Sequence, residues 1–514
     1  MFREEERNMR RVLSLVLLPF LLFYAIPVGA AEKEERTLED EIIYSIMIDR
    51  FFDGNPENNG DADVTNPNMF NGGDFAGVTK KLDYLKEMGF TTILLSPVFM
   101  NDKEGYHGYW VEDFYKTDPH FGTLDELKTL VQEAHSRDIK VMVDFVANSV
   151  GPNHPWLQDP TKEDWFHEKD SADEQLEKSW IDSLPDLNHE NPEAKAYLLD
   201  AAKWWIEETN IDGYRLHQAE YVNQDFWKDF VQVVKSEKAD FYLIGDVLEG
   251  TSKTISSYEE TGIDAFMDYT ENEALRQAFA APDESLTNLF SVKRKNEDLL
   301  QADTQLVNFM DTSQSPRFTF DAANHNQHPG TRWKMALAYL YTTPSVPVIF
   351  YGSEIALNGN EAPENHQLMN FKTEQDLVDY ITDLAKIRAE HPALSRGKLE
   401  VLYEKDGVVV YKRTLAEETN VVVINNTSKT QKIVLNQSQL EDNKELRGLL
   451  NGDLVRSQDG TYSIVIDREQ AEVYKLVHKS VINIPYFAVL FAVLALFALF
   501  IALVMKRSKR NSID

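Results

Sequence analysis

Short apolar runs of strand length recur along the chain and alternate with segments whose apolar positions fall three and four residues apart. The runs are "IIYSIMIDRF" (42–51), "TTILLSPVF" (91–99), "KVMVDFVAN" (140–148) and "IDGYRL" (211–216), then "FYLIGDVL" (241–248), "AFMDYT" (265–270), "TQLVNFMD" (304–311) and "VPVIFYGSEI" (346–355). Between most of them lie helix-like stretches such as "LDELKTLVQEAHSRD" (124–138) and "QDLVDYITDLAKIRAEH" (375–391). Eight strands alternating with helices predict a parallel (β/α)8 TIM barrel over 38–148 and 192–392. A doubly wound open sheet is the alternative, but no Gly-rich phosphate loop follows the first strand. The polar, Pro-containing stretch 149–191 reads as a small loop domain inserted after strand 3. After 392 the period changes: "LEVLYEKDGVVVYKRT", "TNVVVINN", "QKIVLN" and "TYSIVID" are short alternating strands, predicting a β-sandwich domain over 395–478.

The two ends predict traffic across a membrane. Arg10 and Arg11 precede an apolar run, 12–28, and the small residues Gly29, Ala30 and Ala31, the pattern of a secretory signal peptide over 1–31. The run 481–505 carries no charge and is followed by Lys506, Arg507, Lys509 and Arg510. That predicts a transmembrane helix at 481–505 and a cytoplasmic tail at 506–514. The expectation is a single-pass cell-membrane protein with the bulk of the chain extracellular.

Composition narrows the chemistry. The 514 residues include 85 Asp and Glu against 52 Lys and Arg, a formal charge of −33. Nucleic acid is excluded as a partner, because phosphate contacts need a basic patch. The acidity fits a solvated surface and is compatible with calcium binding. With no cysteine, disulfides, thiol catalysis and thiolate metal sites are excluded.

Six stretches carry a family resemblance. "VDFVANS" (143–149), "DGYRLHQAE" (212–220), "LIGDVLEG" (243–250) and "FMDTSQSPRF" (309–318) resemble, in order, four signatures of the α-amylase family, glycoside hydrolase family 13. "GYHGYW" (105–110) and "SLPDLN" (183–188) match two further stretches. The resemblance runs from about residue 41 to 476. It implies chemistry at the C-terminal ends of the barrel strands, performed by two carboxylates roughly 5–5.5 Å apart that flank the glycosidic bond. A third carboxylate grips sugar hydroxyls.

Here the three implied positions hold His217, Asp246 and Gln314. Neutral imidazole is not the oxygen nucleophile this mechanism uses, and Asp246 is one methylene shorter than the family's Glu. Ser149 and Ser313 stand where the family has sugar-binding histidines. The resemblance therefore implies a pseudoenzyme that binds an α-glucan or malto-oligosaccharide, with His107, Tyr109 and Arg215 as substrate contacts and Asp144 as the remaining partner of Arg215. It also implies Ca2+ at Asp53, Asn55, Asn58, Asn59, Asp74 and the Gly72 carbonyl. A second Ca2+ site would use Asn148, Asp186 and the Tyr221 carbonyl, all oxygen donors of the kind calcium takes. Two alternatives stay open: an active hydrolase or transglycosylase with altered residues, and a calcium-stabilised interaction domain that binds a surface protein and no sugar.

Overall fold

A computed structural model describes residues 36–169, 183–248, 251–373, 375–479 and 484–510. Eight strands close a parallel barrel: β1 (Ile43–Ile46), β2 (Thr92–Leu95), β3 (Lys140–Val146), β4 (Gly213–His217), β5 (Tyr242–Gly245), β6 (Ala265–Met267), β7 (Gln305–Phe309) and β8 (Val346–Phe350). Each strand pairs with its neighbours in sequence, and β8 closes onto β1. Side chains alternate across a strand, and the core divides accordingly. Ile43, Leu94, Met142, Ile244, Val307 and Val348 fill the barrel interior. Tyr44, Ile93, Val141, Val143, Leu243 and Ile349 belong to the larger core formed with the surrounding helices.

The same parity decides what reaches the barrel mouth. Two residues beyond Met142 comes Asp144; two beyond Ile244 comes Asp246; Arg215 and His217 continue the inward row of Gly213. Polar residues therefore sit where the apolar interior ends. Gly213 itself keeps this row close-packed, since a Cβ there would lie 2.6 Å from the Tyr242 carbonyl oxygen and 2.8 Å from the Met142 methyl. The apolar run 42–51 is divided: β1 stops at Ile46 and Ile48–Phe51 is a helical turn, in which the buried Asp49 accepts N–H bonds from Asn71 and Gly72.

After β2 the antiparallel hairpin Phe99–Asn101/Val111–Thr117 projects the loop 102–110 over the barrel. The described parts of the inserted stretch, 149–169 and 183–191, hold two 3-10 turns, Pro155–Gln158 and Pro160–Trp165. Bridges Ser149 to Asp186 and Phe166 to Leu187 tie them together.

The C-terminal part is all β: β9 (Lys398–Lys405), β10 (Val408–Leu415), β11 (Glu418–Asn425), β12 (Gln431–Asn436), β13 (Lys444–Gly448), β14 (Leu454–Arg456), β15 (Thr461–Ile466) and β16 (Gln470–His478). A six-stranded sheet, β9-β10-β11-β16-β13-β14, faces the two-stranded sheet β12-β15. Val410 and Val423 of the large sheet pack against Ile433, Leu435 and Ile464 of the small one. Buried Arg413 bonds the Thr342 and Leu394 carbonyl oxygens at 2.5 and 2.6 Å, joining this part to the barrel.

The expected membrane span is corrected. Among the described residues, no helix is long and apolar enough to cross a membrane. A helix covers Ile484–Arg510, and its described side chains, 489–504, are exposed. The single-pass anchor at 481–505, the membrane as a partner and the extracellular placement of the chain's bulk fall with that finding. The expected signal peptide, 1–31, lies outside the described residues, as do 481–483 of the expected span and 511–514 of the predicted tail.

Candidate active site

Parallel strands in register set the first pair. Asp144 on β3 lies opposite Arg215 on β4. The guanidinium meets both carboxylate oxygens, Nε to Oδ1 and NH2 to Oδ2, each at 2.6 Å. The Tyr109 hydroxyl donates to Asp144 Oδ2 at 2.6 Å and accepts from Arg215 at 3.1 Å. Burial would push the Arg215 pKa down, but Asp144, Tyr109 and Asp246 hold it well above its ordinary value. Burial and the Asp144 charge likewise raise the Tyr109 phenol. The three side chains form a locked unit around a bidentate arginine–carboxylate pair of the kind arginine favours.

The second pair is looser. His217 ends β4, and Asp246 follows β5 directly. His217 Nδ1 stands 3.6 Å from Asp246 Oδ2, and Arg215 Nε stands 4.0 Å from the same oxygen. The Tyr269 hydroxyl donates to Asp246 Oδ1 at 2.7 Å. Burial alone would raise the Asp246 pKa, but Arg215, the nearby His217 ring and the Tyr269 bond hold it below the ordinary carboxylate value. A general acid must carry its proton at the working pH, and Asp246 is held ionised. The His217 ring lies against Tyr109, centroids 4.4 Å apart and planes 34° apart.

Above this floor opens a cavity of about 700 Å³, lined by His107, Trp110, Tyr221, Leu248, Gln314 and His366 among others. No Asp, Glu, Lys or Arg is among the described residues that line it. Burial lowers the His107 pKa to about 3 and that of His366 to about 4, so both rings are neutral. Asp311 turns away from the cavity and accepts from the Phe318 N–H at 2.6 Å. Glu220 accepts from the Leu248 N–H at 2.7 Å.

The family model described as alpha amylase, catalytic domain, matches residues 45–391, and the alpha-amylase C-terminal domain matches 397–474. The chain belongs to the α-amylase family. It is 30% identical over 463 residues to the intracellular maltogenic amylase of Bacillus subtilis (strain 168), covering 83% of this chain and 76% of that protein. It is 32% identical over 457 residues to the beta/alpha-amylase of Paenibacillus polymyxa, covering 84% of this chain but 37% of that protein, so it spans little more than a third of that relative. Among solved structures it is similar to an α-amylase from Anoxybacillus, with 51% identity and a TM-score of 0.85, covering 87% of this chain and all of that one. An α-amylase from Geobacillus thermoleovorans, complexed with acarbose, has 50% identity and a TM-score of 0.84, with 87% of this chain and 100% of that one covered.

In this α-amylase family member the residues singled out for calcium divide. Asp53 Oδ2 accepts from Asn59 Nδ2 at 3.0 Å, and the Asn59 amide packs on Gly72, where a Cβ would meet it at 3.0 Å. Asn58 Oδ1 and Asn59 Oδ1 are buried without a hydrogen-bond partner in the protein. Two orphaned amide oxygens beside a carboxylate are donors a calcium ion accepts, so this part of the loop fits the ion. Asp74 instead ties the loop to the helix Phe75–Glu87, accepting from the N–H groups of Gly54, Asn55 and Gly77. Asn55 Oδ1 turns onto the Glu57 N–H.

Asn148, Asp186 and Tyr221 do converge. With its amide turned so that Nδ2 faces them, Asn148 donates to Asp186 Oδ1 at 2.9 Å and to the Tyr221 carbonyl at 2.8 Å. The opposite amide orientation presents three oxygens to one point, as a cation would require. His167 Nδ1 bonds the other Asp186 oxygen at 2.5 Å. Among the described residues, no group of three His, Asp or Glu side chains is placed to hold a metal, so a cation at either place would rest largely on amide and carbonyl oxygens.

Sequence reasoning missed Tyr269 and His366. Tyr269 follows β6 and is legible as a polar residue just past a strand end. His366 Nε2 donates to the Ser313 carbonyl at 2.7 Å and its Nδ1 accepts from the Tyr106 hydroxyl at 2.9 Å, and no local pattern marks it.

Proposed function

We propose that this chain is an α-glucan-binding member of the α-amylase family that does not hydrolyse its ligand, with His217, Asp246 and Gln314 at the positions where the family keeps its three carboxylates. The observation that carries the reading is the state of the two carboxylates at the barrel mouth. Asp144 is bound by Arg215 and Tyr109, and Asp246 is held ionised against Tyr269. The two-carboxylate mechanism needs a free nucleophile and a separate proton donor. Asp144 is bound at both oxygens, Asp246 is ionised and carries no proton to give, and the cavity above offers no carboxylate among the described residues. Losing a catalytic group costs on the order of 10⁴ in rate in worked cases.

Ligand binding is supported by what remains. Aromatic and imidazole faces at Trp110, His107 and His366 line the cavity and suit an uncharged pyranose, which presents an apolar face of its own. Relatives named for maltogenic amylase and cyclomaltodextrinase activity point to malto-oligosaccharides as the substrate class. Calcium belongs to the same reading: Asp53, Asn58 and Asn59 would hold it in the loop after β1, and Asn148, Asp186 and the Tyr221 carbonyl would hold a second ion beside the cleft. It would supply rigidity to the loops that wall the site.

The purified chain incubated with maltoheptaose is expected to release no reducing sugar while calorimetry registers binding. Turnover that Asp246→Ala abolishes would refute the reading. The combined reversion His217→Asp, Asp246→Glu and Gln314→Asp is expected to bring hydrolysis into the measurable range. A chain that binds no glucan at all points instead to the interaction-domain alternative.

A further inference from the structure

We propose that His217 is a plug: it fills the sugar position against Tyr109, so the cleft receives the end of a short, uncharged α-glucan and lets no chain pass through. This rests on the reading of the cleft as an α-glucan site. At 4.4 Å between centroids, the imidazole occupies the stacking distance a sugar ring would need, and close-packed groups do not share volume.

Neither partner can swing aside cheaply. The Tyr109 hydroxyl is bound to Asp144 and Arg215. His217 is 6% exposed, ends a barrel strand, and faces Asp246 through Nδ1 at 3.6 Å. Asp246 is in turn held by Tyr269.

The barrel interior next to Tyr109 offers little room: the cavity lined by Tyr109, Asp144, Arg215 and Met267 measures about 10 Å³, at most room for a single water. The volume that His217 and Tyr109 both line is the cavity of about 700 Å³. That is within the ~300–1,000 Å³ range of small-ligand pockets, and its neutral lining selects against charged sugars, since an ion would be desolvated there without a counter-charge. His217 thus acts as a specificity-determining residue: it stops the chain, where a hydrolase would pass it across the floor.

Two titrations test this, one on the native protein. Maltoheptaose and its cyclic counterpart have the same number of rings, but only the linear one has an end. The native chain is expected to bind maltoheptaose about tenfold or more tightly than the cyclic form. His217→Gly, checked for a native near-UV spectrum, is expected to gain about tenfold for maltotriose and maltoheptaose as one more ring seats. Millimolar imidazole should refill the hole and reverse that gain; His217→Ser serves if the glycine variant unfolds. Equal binding of cyclic and linear glucans, or a folded variant with unchanged affinity, overturns the plug and leaves the glucan reading standing. If the native chain and the variants bind no linear glucan, the glucan reading itself fails and the plug with it.

Discussion

Asp246 shows how one side chain's environment decides its chemistry. The carboxyl is wholly buried, a setting that alone would favour the protonated acid. Arg215 at 4.0 Å and the Tyr269 hydroxyl at 2.7 Å outweigh burial and keep it ionised. His189 shows the reverse. Burial lowers its pKa to about 4, and its Nε2 bonds the Ala147 carbonyl at 2.9 Å. The unfolded chain takes up a proton on this ring near pH 6.5, whereas the folded chain resists until about 4. Its contribution is therefore full above 6.5 and is lost as pH falls toward 4, by roughly 3 kcal/mol at most. His189→Gln keeps a donor near Ala147 and removes the titration. The stability gap between native chain and variant, followed by chemical denaturation, is expected to shrink from pH 7 to pH 4; a constant gap would contradict the assignment.

At the scale of elements, the strand ends and the long loops behave differently. The period-2 runs place Asp144, Arg215, His217 and Asp246 on the inner row without any tertiary information, because side-chain parity is a property of the strand itself. The loop 53–74 has no such rule. Its Asn and Gly content is compatible with an ordinary turn, and only the folded arrangement reveals that Asn58 Oδ1 and Asn59 Oδ1 are buried and unsatisfied while Asp74 serves the backbone. A chelator is expected to lower the melting temperature of the calcium-loaded chain. Asn59→Ala, which removes one such oxygen, is expected to shrink that difference. Identical melting curves with and without chelator would remove calcium from this loop.

Across the whole molecule, charge and cohesion are segregated. The formal −33 is carried outside a cavity whose described lining holds no carboxylate. The barrel and the all-β part share buried polar ties: Arg413 bonds the Thr342, Leu394 and Gly397 carbonyl oxygens, and Asn426 bonds the Ala278 carbonyl at 2.8 Å. Arg413→Met leaves several carbonyl oxygens without a donor, at about 1–3 kcal/mol each. The variant is expected to melt earlier in a single transition, with far-UV and near-UV signals falling together. Two separated transitions would show that the ties do not couple the parts.

Much of the architecture was legible in the order of residues. Strand and helix periods differ by simple geometry, so eight alternating units and a trailing β region could be read from apolar spacing. The Arg215 to Asp144 pairing could be anticipated because neighbouring strands share a register. The apolar run at 481–505 misled, since composition alone cannot say how much continuous apolar helix is presented to a membrane. Tertiary structure alone decided that His217 lies on Tyr109 and that Tyr269 holds Asp246. Those contacts join side chains from loops and strands far apart in the chain, and only barrel closure brings them within a few ångströms. Local sequence sets which way a side chain points; what it meets there is set by the rest of the fold.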